Sequence, residues 1–286
     1  MVHKKHKLKA DSIPDMLRSI PTPPSELYVI GDNFDELLRR PRVAIVGSRK
    51  ITPYGKAVTD MLARELAAQG VIIVSGLALG VDSVAHNGAL EAQGGTIAVL
   101  PCGLNTIYPR SHTALARQII QRGGALLSEY PDGTEPFPGN FVARNRLIAG
   151  LADIVLITEA AEKSGTVHTA NFALAQGKTV MCVPGNITST QSRGTNNLIK
   201  HGALLINETA DVLCALGLQT GTTTTAPRGS NEHEQTLLDL LAGGIIDGHE
   251  LLAQSKLELE LFNQTLTMLE ITGKIKALGA NQWALA

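Results

Sequence analysis

RVAIVGSRKITPYGKAVTDMLARELAAQGVIIVSG, residues 42–76, carries the pattern that decides the fold. Residues 42–47 are a short β-branched run ending in Gly47, an amphipathic stretch follows over 53–69 with Gly70 as its stop, and VIIVS (71–75) repeats the strand. The same beat recurs downstream. Residues 81–93 read as a second helix stopped by Gly94-Gly95, and strand-like runs lie at 96–100, 125–128, 154–158, 179–183 and 203–206. A strand buried on both faces has no polar side to show, so near-continuous apolar runs alternating with Gly-terminated helices predict a parallel sheet covered on both sides. The expected fold of residues 41–218 is a Rossmann-like, doubly wound α/β unit with a mostly parallel sheet.

Outward from this core the texture changes at both ends. Residues 1–40 contain Pro14, Pro21, Pro23 and Pro24 and read as an irregular lead-in. Residues 219–231 are rich in Thr, Gly and Ser with almost no apolar content, the composition of a linker. Beyond them, 234–241, 247–253 and 257–272 read as helices, and 274–277 with 282–285 could pair around Gly279-Ala280-Asn281. Three helices followed by a small hairpin is the layout of a winged helix, so residues 232–286 are expected to form a second, small domain.

Composition narrows the function. The 286 residues are 44% hydrophobic and 18% charged, enough for packed cores and too little charge for a disordered chain. The net charge is −1, so the chain is no polycation that coats nucleic acid indiscriminately. That average hides an asymmetry: four basic and eight acidic residues follow from Gln219 onward, leaving 21 and 18 before it. Cys102, Cys182 and Cys214 are odd in number and lack C-x-x-C spacing, against a disulfide framework or a cysteine zinc site. The longest apolar stretch, 70–81, is shorter than the ~18 residues of a membrane span. The basic start MVHKKHK is followed by no apolar region of a secretion signal. A reduced, cytoplasmic setting is expected, with no membrane partner.

In an open parallel sheet, ligands bind beyond the carboxyl ends of the strands. Four Gly/Ser/Thr/Asn clusters fall there: Gly47-Ser48-Arg49-Lys50, the run from Ser75-Gly76 to Gly80, Ser164-Gly165-Thr166, and the segment reaching Arg193 and Asn196. Small residues let backbone amides approach an anion, and arginine forks onto phosphate. A fifth feature, Phe141-Val142-Ala143-Arg144-Asn145-Arg146, places two arginines at the start of a predicted helix, although on a helix only one of them can point into a given pocket. Each cluster alone could simply satisfy a tight turn, and an arginine here could pair with Asp153 or Glu159; together the clusters read as a phosphate-binding rim. Neither G-x-G-x-x-G nor G-x-x-x-x-G-K-[ST] occurs, which disfavours ordinary dinucleotide or P-loop nucleotide binding. Asp82 and His86, one turn apart, could form a general-base pair, but no nucleophile accompanies them. No histidine spacing suggests a metal, and no cofactor is implied.

GSRKITPYGK, SGLALGVDSVAH, CGLNTIYPRSH, FVARNRLIAGLAD, KSGTVHTANFALAQGK and PGNITSTQSRGTNNLIKHGA follow one another in the order and spacing of the DNA-processing protein A family, also called DprA or Smf. The chain resembles that family over roughly residues 20–213. The resemblance implies an extended Rossmann core, a homodimer without catalytic activity, and a role in natural transformation. Such a protein shields incoming single-stranded DNA and helps load the RecA recombinase. By motif, the DNA pocket would use Gly47, Ser48 and Arg49 with the 76–80 loop, Arg144 and Arg146 as a basic wall, and Ser164-Gly165-Thr166 as a floor. Lys178 in the Gln-Gly-basic segment would be a further contact, or would neutralise a helix C-terminus. Phe141 is placed to stack on a base. Two departures matter. Many members carry a helical, sterile-alpha-motif-like N-terminal domain, which this chain is expected to lack. Relatives also often have Pro and a further basic residue where Val142 and Ala143 stand, implying a weaker local grip.

Two rivals remain at this level. Phosphoribohydrolases of similar architecture use P-G-G-x-G-T-x-x-E; the matching segment here begins Lys163-Ser164-Gly165-Thr166, and Thr169 stands where that glutamate would be. A nucleotide-sensing regulator with a winged-helix output is the other. The acidic tail suits a protein partner better than duplex DNA.

Overall fold

In the first strand of the repeat, Arg42–Val46, alternate side chains serve opposite cores. Val43 and Ile45 enter one apolar cluster with Leu62 and Leu66, whereas Ala44 and Val46 enter another with Leu147 and Leu151. A sheet loaded this way needs helices on both faces. The computed structural model describes residues 5–9, 12–218, 229–279 and 281–285. The chain divides into two compact units, Met1–Leu218 and Gln219–Ala286.

The first unit is built on nine strands. β1 (Lys5–Lys9) and β2 (Glu26–Ile30) precede the strand just described, β3 (Arg42–Val46); then come β4 (Ile72–Ser75), β5 (Thr96–Val99), β6 (Ala125–Ser128), β7 (Ile154–Ile157), β8 (Thr179–Cys182) and β9 (Leu204–Leu205). Their order across the sheet is β1-β2-β6-β5-β4-β3-β7-β8-β9. From β6 through β9 every pairing is parallel. α1 (Asp15–Arg18) and α2 (Phe34–Leu38) flank β2. α3 (Pro53–Ala68), α4 (Val81–Glu91), α5 (Thr113–Gln121), α6 (Pro138–Leu151), α7 (Thr166–Ala175), α8 (Arg193–Lys200) and α9 (Thr209–Ala215) follow. From β3 the chain works outward to β6, and α6 then carries it back to β7 on the other side of β3. The crossover directions diverge between β3 and β7, which opens a crevice at that point.

The parallel strands lie where the sequence places them. The reading of residues 1–40 as irregular is corrected: β1 and β2 extend the sheet, with β2 antiparallel to both β1 and β6. The prolines lie between these strands, and β1, KHKLK, is mostly exposed, so it carries no apolar signal. Its lysines serve the edge instead. Lys5 and Lys7 lie 4.8 and 5.3 Å from the centroid of the Tyr28 ring, and Lys7 pairs with Glu26 at 2.8 Å. Charged lysines on an outer strand discourage pairing with other chains.

Most of the predicted linker, 219–228, lies outside the described residues. Its end, 229–231, already belongs to the next helix: Asn231 caps α10 (Glu232–Ala242) by accepting from the Glu234 amide. α11 (Gly248–Ser255), α12 (Leu259–Ile271) and the antiparallel pair β10 (Ile275–Gly279) and β11 (Gln282–Leu285) complete the second unit. Its core of Leu237, Leu238, Leu251, Phe262 and Leu269 shares no residue with the clusters of the first. Glu234 is pinned to Lys274 at 2.8 Å within it. No helix among the described residues is long and apolar enough to cross a membrane.

Because the two cores are separate, a chain ending at Leu218 is expected to fold. Thermal unfolding followed by circular dichroism should show one cooperative transition; a truncated chain without one would contradict two independent units.

Candidate functional site

A cleft of about 560 Å³ opens beyond the carboxyl ends of β3, β4 and β7. Its walls are strand-to-helix turns locked to one another. The Ser48 amide donates to Glu159 O at 2.7 Å, the Val81 amide donates to Ser48 O at 3.1 Å, and the Ser48 hydroxyl donates to Gln191 Oε1 at 3.1 Å. Gly80 makes this closeness possible. Its φ is +79°, and a Cβ there would lie 2.2 Å from Ser48 O. Glycine alone takes that backbone without strain.

Beneath the cleft lies Arg144, from the second turn of α6 and only 3% exposed. One guanidinium nitrogen, Nη1, donates to Gly76 O at 2.7 Å and to Val99 O, while Nε donates to Asn145 Oδ1 at 3.1 Å. It thereby joins the ends of β4 and β5. A Cβ at Gly76 would come within 2.5 Å of Arg144 Nη1. Burial pulls the Arg144 pKa down to about 10, partly offset by the Asp82 carboxylate, so it stays charged at neutral pH. Asp82 accepts through Oδ2 from the amides of Gly76 at 3.0 Å and Ala78 at 3.3 Å. Burial raises its pKa, against the pull of Arg144 and those amides.

The open rim is cationic and aromatic. The guanidinium of Arg49 lies 5.1 Å from the centroid of the Phe141 ring, and Phe141 meets Tyr108 edge-on at 5.3 Å. Arg49 and Lys50 are exposed. Neither makes an ion pair among the described residues. Ser164, Gly165 and Thr166 bring the N-terminus of α7 to the opposite wall, and a Cβ on Gly165 would meet open space. Cations and a helix N-terminus facing one cavity attract an anion.

The family described as DNA recombination-mediator protein A matches residues 6–217. The chain belongs to that family. It is 44% identical over 210 residues to Protein Smf of Escherichia coli K12, covering 73% of this chain and 56% of that one. The first curated relatives are thus matched over about half their length. Two solved structures are similar to three quarters of the chain. DNA processing protein A from Helicobacter pylori, described for its single-stranded DNA binding mode, has a TM-score of 0.68 at 39% identity, over 75% of this chain and 96% of that one. The protein of the same name from Streptococcus pneumoniae has a TM-score of 0.67 at 35% identity, over 75% and 74%.

Within this DNA recombination-mediator fold, the structure sorts the residues singled out from sequence. Gly47, Ser48, Arg49, Lys50, Phe141, Arg144, Asn145, Ser164, Gly165 and Thr166 line one cleft. Seven others do not. Arg146 turns away from it and grips Glu129 with two bonds of 2.7 and 2.6 Å, and its Nε donates to Thr22 O at 2.8 Å. Successive helical positions diverge, so α6 sends Arg144 to the cleft and Arg146 to the N-terminal segment. Ser75 donates to Ile45 O at 2.6 Å inside the sheet. Gly76 and Gly80 shape the wall by close backbone approach. Asn196 bonds both backbone groups of Gly185, at 3.1 and 2.9 Å. Lys178 lies just before β8, at the amino end of the strands and away from the cleft, and Arg193 begins α8 outside the cleft lining.

Sequence reasoning passed over Tyr108 and Gln191, which also line the cleft. Gln191 sits between two of the Gly/Ser clusters and Tyr108 within CGLNTIYPRSH, and no local pattern marks either as cleft lining. Asp82 lines the cleft but is no partner of His86. The His86 ring Nδ1 instead lies 2.7 Å from Thr96 Oγ1. Burial pushes Cys102 up to about 11 and Cys182 up to about 12, so both thiols stay protonated at neutral pH.

His86 gives a pH signature. Burial lowers its pKa from 6.5 to about 3, with His112 and Arg144 adding to the effect. Between those values the unfolded chain takes up a proton that the native one refuses, so stability falls as pH drops below 6.5. From there to about pH 5 the loss from this group is about 2 kcal/mol. Urea titrations should show that His86→Gln flattens this slope; an identical slope in the variant would refute the assignment.

Proposed function

We propose that the protein binds single-stranded DNA through this cleft and acts in recombination of incoming DNA during natural transformation, delivering the strand to the RecA recombinase. The observation that carries the reading is the contrast between cations. Arg42 is spent on Asp153 and Arg146 on Glu129, whereas Arg49 and Lys50 make no ion pair among the described residues and stand over a cavity whose far wall is a helix N-terminus. Unpaired cations at a rim give sequence-independent affinity for a phosphate chain. Phe141 and Tyr108 add aromatic surface on which a base can stack. The H. pylori relative's single-stranded DNA binding supports the same ligand. Thr169 stands where a phosphoribohydrolase would need its glutamate, and Asp82, the carboxylate lining the cleft, is occupied by two backbone amides. The substrate is therefore held rather than cleaved.

The second unit reads as a winged-helix module. Its α12 carries Glu260 and Glu270 and no basic residue, which suits a protein partner rather than a duplex. Homodimer formation is best supported at β9, the outermost strand at its end of the sheet, where Leu204 and Leu205 are 50% and 45% exposed. Exposed apolar edge strands invite pairing. Leu204→Glu should shift the species seen by analytical ultracentrifugation from dimer to monomer, and an unaltered mass would exclude this edge.

The binding reading is tested by anisotropy titrations against a mixed-sequence single strand, its duplex and AMP, at several salt concentrations. Arg49→Ala should weaken strand binding and reduce the salt slope by about one phosphate contact. Arg146→Ala should leave the slope alone and instead cost about 1–3 kcal/mol of stability, because the partly buried Glu129 carboxylate loses both of its bonds to the guanidinium. A wild-type slope in Arg49→Ala, or AMP displacing the strand as readily as competing DNA, would overturn the proposal. In filament-assembly assays, wild-type protein should shorten the recombinase lag on the strand and Arg49→Ala should not.

A further inference from the structure

Two backbone segments leave the cleft together and border a second hollow. The connection from β8 to α8 places Gln191 in the cleft and its neighbours Ser189 and Ser192 in an open groove of about 640 Å³. The turn after β3 does the same, with Lys50 in the cleft and Thr52 in the groove. No acidic side chain among the described residues lines the groove, and the carboxylate behind it, Glu159, is buried and taken up by the amide and hydroxyl of Thr52. Two cations are close sequence neighbours of the lining residues. Lys56, in the first turn of α3, and Arg193, next to Ser192, are exposed. Neither makes an ion pair among the described residues.

The groove also holds an aromatic set in advance. Tyr54 is 49% exposed, and its hydroxyl donates to Pro184 O at 2.8 Å. That bond spans α3 and the end of β8 and holds the ring in one orientation, so little side-chain freedom remains to be lost when a flat ligand lies against it. Ser189 adds a hydroxyl with no internal partner among the described residues, and Ile187 stands 84% exposed on the same connection.

We propose that this groove is a second strand subsite: a single-stranded DNA held in the cleft continues over the 184–192 connection, and Tyr54 stacks on one of its bases. The inference rests on the cleft being the strand-binding site. Its occupant follows from continuity with the cleft, a described lining without an acidic side chain, and the neighbouring cations Lys56 and Arg193. An apolar peptide would use the ring and Ile187 but would gain nothing from those cations.

The test uses the full chain and fluorescence anisotropy with oligothymidylates of about 4 and about 16 nucleotides, the two ends of the range that single-strand modules cover. Tyr54→Ala should weaken binding of the longer strand about 5- to 100-fold and leave the shorter one, held in the cleft, unchanged. Tyr54→Phe keeps the ring but loses the bond to Pro184, and should bind the longer strand about 2- to 10-fold more weakly than wild type and more tightly than Tyr54→Ala. Unchanged short-strand binding also shows that Tyr54→Ala is folded. If Tyr54→Ala matches wild type on both lengths, or weakens both equally, the subsite is refuted while the cleft reading stands on the Arg49→Ala result. If Arg49→Ala binds both lengths like wild type, the cleft reading itself fails, and with it the path proposed here.

Discussion

The buried guanidinium of Arg144 is the constraint around which the binding end of the sheet is organised. A charge so removed from water persists only where its donors are met, and Arg144 meets them with the carbonyls at the ends of β4 and β5. Those carbonyls follow the last ladder bonds of their strands, where a parallel sheet frays into its loops. The arginine replaces the missing strand-to-strand bonds and sets how far apart the two loops stand. Asp82 completes the arrangement from the other side by collecting the amides of Gly76 and Ala78. The loop between them is held so firmly that Leu77, a non-glycine residue, keeps a φ of +58° while its carbonyl accepts from His112 Nδ1 at 2.8 Å. A preformed cleft is the result.

That arrangement explains how a chain of net charge −1 can favour an anion. Attraction depends on which cations are free, and the fold decides that. Arg42 ties β3 to Asp153 and to the carbonyl of Leu151, and Arg146 ties α6 to Glu129 and the N-terminal segment. Both are structural because a carboxylate sits within reach. Arg49 and Lys50 follow β3 at the mouth of the cleft, where the lining carboxylate, Asp82, is already engaged from behind. Local imbalance therefore coexists with global neutrality, and the acidic second unit removes the excess positive charge that would favour indiscriminate binding.

The sequence made the parallel sheet legible because burial on both faces leaves β-branched runs that helices and turns do not imitate. It left β1 hidden because an exposed edge strand carries the opposite pattern, lysines whose stems and charges pack on Tyr28. At the cleft, the place of Gly47-Ser48-Arg49-Lys50 and Ser164-Gly165-Thr166 after their strands was legible, whereas Arg193 and Asn196 fall outside its lining. The roles of Arg144 and Arg146 were not legible. Two residues apart on one helix, they were known to diverge, but which one faced the cleft depended on where Glu129 and the Gly76 carbonyl lay, and neither position can be read from local pattern. Asn196 was misread for a related reason: an amide side chain that closes a turn and one that meets a ligand look alike until the turn is seen.

Arg144 and Arg49 also act on each other. Each is a cation near the same cavity, and their repulsion contributes to lowering the Arg144 pKa. A phosphate entering between them would relieve that repulsion and add its own attraction to both, with Asp82 remaining as counter-charge behind Arg144. On the proposed reading, an anionic ligand would remove a repulsion that a neutral ligand of the same shape would leave in place, so charge would be the first ground of discrimination, and the aromatic surface of Phe141 and Tyr108 would then select anions that bring a base to stack.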